Sequence, residues 1–207
     1  MTLSVQNVTL SIEGSTLFQS INFEVAGGEI FSIMGQSGCG KSSLLSFITG
    51  TLDTTFTASG AVLLNGIDIT QRPPHKRRIG TQFQDHLLFP HMTVGENLAF
   101  GLPKSFRRKE RSAKVIQALQ DCGMAGFENR NPATLSGGQR ARISLMRSLL
   151  SEPEALLLDE PFSKLDQGLK GEFRQFVFDQ IDRREIPALM VTHDSDDVPD
   201  QRLMISL

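Results

Sequence analysis

The sequence predicts an α/β fold that has a mixed sheet, an antiparallel β layer at its N-terminus and an inserted α-helical subdomain. Three patterns lead to this prediction. Apolar residues alternate near the N-terminus, a short apolar strand runs into a glycine-rich loop and a helix, and a strand, a helix and a strand follow one another near the C-terminus. Because such a succession favours parallel pairing, the strands of the second half are expected to run parallel.

The antiparallel layer is predicted from residues 5–12 and 21–25, where apolar side chains approximate the alternation of half-buried strands. Gly27 and Gly28 mark the turn that follows. A two-residue hairpin is predicted at residues 65–66, Asn-Gly, between strands at residues 62–64 and 67–69, because both residue types tolerate a positive φ.

The short apolar strand Ile30–Met34 is predicted to lead into the glycine-rich loop. Residues 42–49 are predicted to form the next helix, which Gly50 ends, and residues 79–83 to form a further strand. The loop therefore lies between a strand and a helix.

Helical periodicity prevails in residues 91–150, which are predicted to form the inserted subdomain. Residues 1–90 and 151–207 are expected to form the core around it, with strands at residues 156–158 and 188–191. No internal repeat and no long linker marks two independent proteins, so the chain is expected to be a single domain.

The composition limits the classes of function. The chain has 207 residues, a net charge of −2 and 39% hydrophobic residues, as expected of one large soluble domain. A balanced charge makes nucleic acid an unlikely main partner. No apolar stretch reaches the roughly 20 residues that cross a bilayer and no secretion signal is visible, so a cytosolic location is expected. Two cysteines, Cys39 and Cys122, are expected to be free thiols.

The glycine-rich loop carries the first chemical signal. Residues 35–42 read G-Q-S-G-C-G-K-S, a pattern whose backbone N–H groups wrap nucleotide phosphates at the N-terminus of a helix. A glycine-rich turn without chemistry is the alternative, but the lysine and the serine disfavour it. The predicted nucleotide-binding residues of the loop are Gly35, Gln36, Ser37, Gly38, Cys39, Gly40, Lys41, Ser42 and Ser43.

The predicted chemistry is the hydrolysis of a phosphoanhydride with Mg²⁺. Lys41 should reach the β- and γ-phosphates, while Ser42 and Asp159 should hold the ion. Glu160, next to Asp159, is the predicted general base that activates a water. A solvated acidic pair at a strand end is the alternative.

One of the four histidines lies just after a predicted strand. His193 follows a predicted strand at the carboxyl edge of the sheet, where α/β proteins keep their ligands. His75, His86 and His91 lie in polar or loop-like sequence and are expected at the surface.

These residues together resemble the ATP-binding-cassette (ABC) family of transporter ATPases, which has a RecA-like P-loop NTPase core. The resemblance covers almost the whole chain and is strongest to importer subunits of the thiamine, iron, polyamine and molybdate group, within it to the YnjD-like subunits. The similar segments are the Walker A loop at residues 35–42, the Q-loop glutamine Gln84, the signature at residues 135–139, the Walker B strand at residues 156–160, the D-loop at residues 163–166 and the switch histidine His193.

The resemblance implies an ATPase that powers a transporter as a homodimer. ATP would lie between the Walker A loop of one copy and the signature of the other. The implied catalytic residues are Lys41, Gln84, Glu160 and His193. The implied Mg²⁺ ligands are Ser42, Gln84 and Asp159. The implied further nucleotide contacts are Ser136, Gly137, Gly138, Gln139 and Asp166.

The resemblance also implies the partners. They are a second copy of the chain, membrane-spanning permease subunits and, indirectly, a solute-binding protein. The chain would then lie at the inner face of the cell membrane through the permease. The alternatives are an exporter or lipid-extraction ATPase, a soluble non-transport ATPase of the family, and a nucleotide-binding regulator without turnover.

Several positions depart from the family pattern or stay outside the motifs. Ile12 takes the place where the family usually stacks adenine on an aromatic ring, and Phe18 is expected in the core. Lys164 stands in the D-loop where a small residue is usual, and no function is assigned to it. Core packing is expected for most of Phe83, Phe89, Met92 and Phe100, with one or two exposed as permease contacts. Solvated surfaces are expected for the basic residues 75–78 and 107–111 and for Arg140, Arg142 and Arg147.

Overall fold

The chain divides into two compact units in a computed structural model that describes residues 1–36 and 38–207. The core unit consists of residues 1–81, 154–161 and 179–207, and the insert unit of residues 82–153 and 162–178. The predicted helical subdomain falls within the insert unit.

The core unit contains the strands and the helix that follows the glycine-rich loop. In chain order its elements are β1 (Thr2–Ile12), β2 (Ser15–Ala26), β3 (Ile30–Met34), α1 (Lys41–Thr49), β4 (Phe56–Leu64), β5 (Ile67–Asp68), β6 (Ile79–Gln82), β7 (Ala155–Asp159), β8 (Ala188–Thr192) and β9 (Met204–Ser206).

Four of these strands form an antiparallel sheet in the order β2-β1-β4-β5. The hairpin predicted at Asn65 and Gly66 is confirmed, since both residues have positive φ and Leu64 pairs with Ile67. Strand β4 is longer than predicted and begins at Phe56. The reason is that β1 continues to Ile12 and offers β4 a pairing edge along its whole length.

The other five strands form the second sheet, in the order β6-β7-β8-β3-β9. The pairs β7–β8, β3–β8 and β3–β9 are parallel, as the succession of strand, helix and strand predicted. Both sheets and α1 contribute to one apolar core, in which the rings of Phe23 and Phe31 stack with centroids 4.5 Å apart. Phe18 belongs to this core, as expected.

The expectation of a solvated surface is wrong for one basic residue of the core unit. Arg77, expected on a solvated surface, is only 5% exposed. Its guanidinium donates hydrogen bonds to the carbonyls of Phe47 and Ile48 at the end of α1, 2.8 Å away in each case. The last carbonyls of a helix lack the N–H donors of a following turn, so a cation placed there helps to satisfy them. The Phe47 carbonyl also accepts from the N–H of the C-cap Gly50 at 3.1 Å.

The insert unit is built from helices: α2 (Val94–Gly101), α3 (Arg108–Asp121), α4 (Gly137–Leu149) and residues 167–178 of α5 (Gln167–Arg184). Thr93 and Glu96 form a capping box that starts α2. Gly123, with φ 69°, follows the end of α3. Among the described residues, no helix combines the length and the apolar character that a membrane span requires.

Candidate active site

The glycine-rich loop connects β3 to α1 in the core unit. Gly40, immediately before the helix, has φ 97°, a conformation that glycine adopts without strain. The first turn of α1 leaves backbone N–H groups without intrahelical partners, which makes it an anion site. Ser37, predicted to bind nucleotide, lies outside the described residues.

Lys41 is buried within this loop. Its Nζ donates hydrogen bonds to the carbonyls of Gly35, at 2.7 Å, and Gln36, at 2.9 Å, and only 5% of the residue is exposed. These contacts hold the ammonium on the loop that is predicted to wrap the phosphates. The half-buried thiol of Cys39 lies 4.0 Å from the same nitrogen.

Ser42 and Asp159 meet in the core unit as the sequence predicted. The Ser42 hydroxyl donates to Asp159 Oδ1 at 3.5 Å. Burial raises the pKa of the Asp159 carboxyl and the charge of Glu160 raises it further, while the bond from Ser42 and the charge of Lys41 oppose the change. A nearby cation would stabilise the charged form of this buried carboxylate.

The donor set fits Mg²⁺ rather than a metal with an all-protein cage. In the described part of the chain, no group of three or more histidine, cysteine, aspartate or glutamate side chains could hold a metal. Mg²⁺ usually takes one or two protein oxygens and completes its shell with phosphate oxygens and water. Ser42 and Asp159 supply such a pair.

Glu160 and His193 are in contact. His193 Nδ1 lies 3.2 Å from Glu160 Oε2, and the glutamate side chain is 21% exposed. Glu160 has φ 43°, although a non-glycine residue rarely adopts a left-handed conformation. Its backbone N–H donates to the carbonyl of Val191 at 3.0 Å, which holds the residue in place at the end of β7.

A cavity of about 290 Å³ opens beside these groups. Its polar side includes Lys41, Ser42 and Glu160, and its apolar side is formed by Ile12, Leu17 and Phe56. The glycine-rich loop and α1 add Gly38, Gly40 and Ser43. The sequence had indicated no role for Leu17 or Phe56, because nothing near them in the chain resembles a binding motif.

The predicted signature begins α4 in the insert unit. Ser136 caps the helix: its hydroxyl accepts from the Gln139 N–H at 3.3 Å, and its own N–H donates to Gln139 Oε1 at 3.0 Å. Gly137 is half-buried and Gly138 is buried. Ser136 and Gln139 therefore fix the start of the helix on either side of the two glycines.

The other predicted motif residues of the insert unit are at its surface. Gln84 and Asp166 are exposed. Lys164, to which the sequence gave no role, forms an ion pair with Asp85, next to Gln84. This pair ties the D-loop to the segment after β6.

The expectation of a solvated surface is wrong for His86 and for three residues of α4, which are all half-buried: Arg140, Arg142 and Arg147. His86 is half-buried, and its Nδ1 is enclosed without a hydrogen-bond partner. Burial lowers the pKa of His86, and the charges of Arg140 and Lys164 lower it further while Asp85 opposes them. Arg147 is also half-buried, and burial lowers its pKa.

Arg147 and its neighbours hold the segment after Gln84. The Arg147 guanidinium donates to the carbonyl of Leu87 at 2.9 Å and to that of His86 at 3.3 Å. The Ser144 hydroxyl donates to the His86 carbonyl at 2.7 Å. Buried Asn97 donates to the Phe89 carbonyl at 3.1 Å.

The segment so held presents apolar side chains to solvent. Phe83 is 50% exposed, Leu87 57% and Phe100 61%. Phe83 and Phe100 are therefore the exposed residues among the four, of which one or two were expected to be exposed, while Phe89 and Met92 are half-buried. We call Phe83, Leu87 and Phe100 the apolar surface of the insert unit.

Comparison with known proteins agrees with these motifs. The family model described as ABC transporter matches residues 18–163. The ABC transporter ATP-binding protein YnjD of Escherichia coli (strain K12) is 47% identical over 197 residues, which cover 95% of this chain and 91% of that protein.

Two relatives are named for polyamine transport. The putrescine transport ATP-binding protein PotG of Escherichia coli (strain K12) is 40% identical, with 94% of this chain and 51% of PotG covered. The spermidine/putrescine import ATP-binding protein PotA of Desulfitobacterium hafniense (strain Y51) is 42% identical, with 92% and 54% covered. The chain thus spans about half the length of these two relatives.

Proposed function

Because the chain belongs to the ABC transporter family and is one of its ATP-binding, ATP-hydrolysing subunits, we propose that it powers a solute importer as a MgATP-dependent homodimer. The observation that carries the proposal is the meeting of Lys41, Ser42, Asp159, Glu160 and His193 in the core unit. Import is proposed because the relatives PotG and PotA are named for polyamine transport and import.

The chemistry of the proposed site follows from its residues. Ser42 and Asp159 hold Mg²⁺, which supplies charge stabilisation to the phosphates when bound. The Glu160 carboxylate orients a water and accepts its proton, and His193, 3.2 Å away, fixes the carboxylate. Lys41 exchanges its loop carbonyls for phosphate oxygens.

Glu160→Gln tests the assignment of the base. The amide keeps the size of the side chain but accepts a proton poorly, so hydrolysis should fall about 100-fold or more while ATP binding persists. Turnover is measured by phosphate release and binding by calorimetry. Unchanged turnover would place the base elsewhere, and Glu154→Gln, at the surface ion pair with Arg78, serves as the matched control.

We propose that the signature completes the site of the other copy. Ser136 and the start of α4 would face the γ-phosphate bound by the partner's loop, because a capped helix start with two glycines offers N–H groups to an anion. Gln84 would reach Mg²⁺ and Asp166 would lie at the dimer interface. Neither copy alone would then contain a complete site, which couples ATP binding to closure.

Mixing two inactive variants tests this arrangement. Lys41→Ala removes the loop lysine and Ser136→Arg blocks the signature. If the site is shared between copies, a mixed dimer contains one intact site, and mixing restores hydrolysis. A chain that carries both substitutions, mixed with either single variant, is the control and stays inactive. No recovery in the first mixture would contradict the shared site.

The permease partner is proposed to contact the apolar surface of the insert unit. Exposed apolar groups on a segment fixed by hydrogen bonds are typical of an interaction site. Through the permease, the chain would lie at the inner face of the membrane and act with a solute-binding protein. Leu87→Ser and Phe100→Ser should abolish stimulation by the permease and keep the basal hydrolysis.

Identification of the partner decides between an importer and the alternatives. Tagged Glu160→Gln, loaded with ATP, is recovered from detergent-solubilised membranes of its host, and the bound proteins are identified by mass spectrometry. A multi-span permease associated with a solute-binding protein supports the importer. Recovery only of proteins that do not come from the membrane contradicts it and favours a non-transport ATPase.

A further inference from the structure

We propose that Phe56 is the surface on which the nucleotide base stacks, and that the apolar wall of Ile12, Leu17 and Phe56 accepts adenine and guanine nucleotides alike. The inference rests on the proposed nucleotide site and assigns the residues that hold its base. It also explains how the site could have an aromatic ring although position 12 is an isoleucine, since Phe56 of β4 supplies the ring.

Strand register places Phe56 beside Ile12. The two residues are direct partners in the antiparallel pair of β1 and β4. Partners of this kind lie on the same face of a sheet with Cβ atoms about 5 Å apart. An aromatic ring at Phe56 therefore faces the same space as a side chain at Ile12.

The apolar wall is next to the phosphate loop. A Cβ built on Gly40 would lie 3.2 Å from Leu17 Cδ1 and 3.1 Å from Phe18 Cε1, so β2 packs directly against the start of α1. One cavity of about 290 Å³ joins the wall to Lys41 and Ser42. A nucleotide whose phosphates lie on the loop has its base on the side of the wall.

Phe56 is placed differently from the neighbouring phenylalanines. Phe18 and Phe23 are buried, with 8% exposure each. Phe56 is half-buried: it packs against the apolar core and also lines the cavity. One part of the residue is thus available to a ligand, and the core packing fixes its position.

From the apolar wall we predict that the site selects only weakly between adenine and guanine nucleotides. The side chains of Ile12, Leu17 and Phe56 carry no hydrogen-bond donor or acceptor. A site without such groups does not strongly reject a ligand of similar shape, whereas a site that hydrogen-bonds its ligand does. Stacking on an aromatic ring is likewise tolerant of base identity.

A single tryptophan tests the contact directly. The chain has no tryptophan and no tyrosine, so Phe56→Trp introduces the only indole. ATP and GTP should both quench its fluorescence, and inorganic tripolyphosphate, which lacks a base, should not. Ile67→Trp is the control: Ile67 is 53% exposed in the same sheet and is not among the described lining residues.

Steady-state kinetics provide the second test. Phe56→Ala should raise the KM for ATP and for GTP about tenfold with little change of kcat, because the lost stacking is present in ground and transition states alike. Phe56→Trp should restore a low KM, and Ile67→Ala should behave as the unsubstituted chain. In the unsubstituted chain, KM for ATP and GTP should agree within about fivefold.

The outcomes separate this inference from the proposed function. If Phe56→Ala keeps its KM while Glu160→Gln loses turnover, the base platform is refuted and the ATPase stands. Equal quenching by tripolyphosphate, or none by ATP at saturation shown by calorimetry, also refutes the platform. A strong preference for ATP over GTP refutes the shared acceptance of purines. Absence of hydrolysis in the unsubstituted chain contradicts the proposed function itself.

Discussion

Replacement of Arg77 by methionine should destabilise the core unit strongly. The Arg77 guanidinium donates to the carbonyls of Phe47, Ile48 and Arg72 at 2.8 Å each, and also to the carbonyl of Thr70. Burial lowers the pKa of Arg77, while Asp68 opposes the change, so the charge is retained at a cost that the carbonyls offset. Methionine keeps an unbranched apolar chain in place of the arginine methylenes but removes every donor.

The magnitude follows from the number of acceptors left behind. A buried polar group without its partner costs about 1–3 kcal/mol, and removal of one member of a buried charged network costs about 3–5 kcal/mol. The Phe47 carbonyl keeps the Gly50 N–H as a donor, so we expect a loss in the middle of this range, about 4 kcal/mol. For a chain of this size, 1 kcal/mol corresponds to about 2–4 °C, and Tm should therefore fall by about 10 °C.

Thermal unfolding followed by circular dichroism measures the change. Arg78→Met is the matched control, because the neighbouring Arg78 side chain is 62% exposed and pairs with Glu154 at the surface. An exposed ion pair contributes about 0–1 kcal/mol, so this variant should lose no more than a few degrees. An equal loss in both variants would refute the argument from buried carbonyls at the end of α1.

Three further predictions follow from the site and from the insert unit. Asp159→Asn should raise the Tm of the nucleotide-free chain at neutral pH and abolish hydrolysis. Because folding raises the pKa of Asp159, the stability of the unsubstituted chain falls as pH rises above the ordinary carboxyl range. The gain in Tm from the substitution should therefore vanish in acid, where the carboxyl is protonated. Alkylation of Cys39 should block hydrolysis by placing bulk in the phosphate loop, with Cys39→Ala as the unaffected control, and full activity after complete modification would contradict this. Arg147→Met should weaken permease binding in a pull-down and leave the basal rate, because the carbonyls of His86 and Leu87 lose their donor; unchanged binding would show that the segment holds its shape without it.

Local patterns were sufficient for most of the fold. The strand Ile30–Met34, the helix ended by Gly50 and the hairpin at Asn65 and Gly66 were predicted from residues adjacent in the chain. Each depends on turn geometry or on the period of apolar residues, and both can be recognised from a few consecutive residues. The long strand β4 was underestimated, because its first residues form a strand only by pairing with β1.

By itself the sequence determined the family, through its ordered motifs, and predicted the chemistry from a loop of the phosphate-binding type and the acidic pair Asp159 and Glu160. Only the tertiary structure decided which distant residues outside the motifs meet. Phe56 lies beside Ile12 through strand pairing, and Arg77 reaches the end of α1 through the packing of its segment. The physical reason is that motif residues carry their function in local backbone geometry, whereas burial and contact arise from elements far apart in the chain.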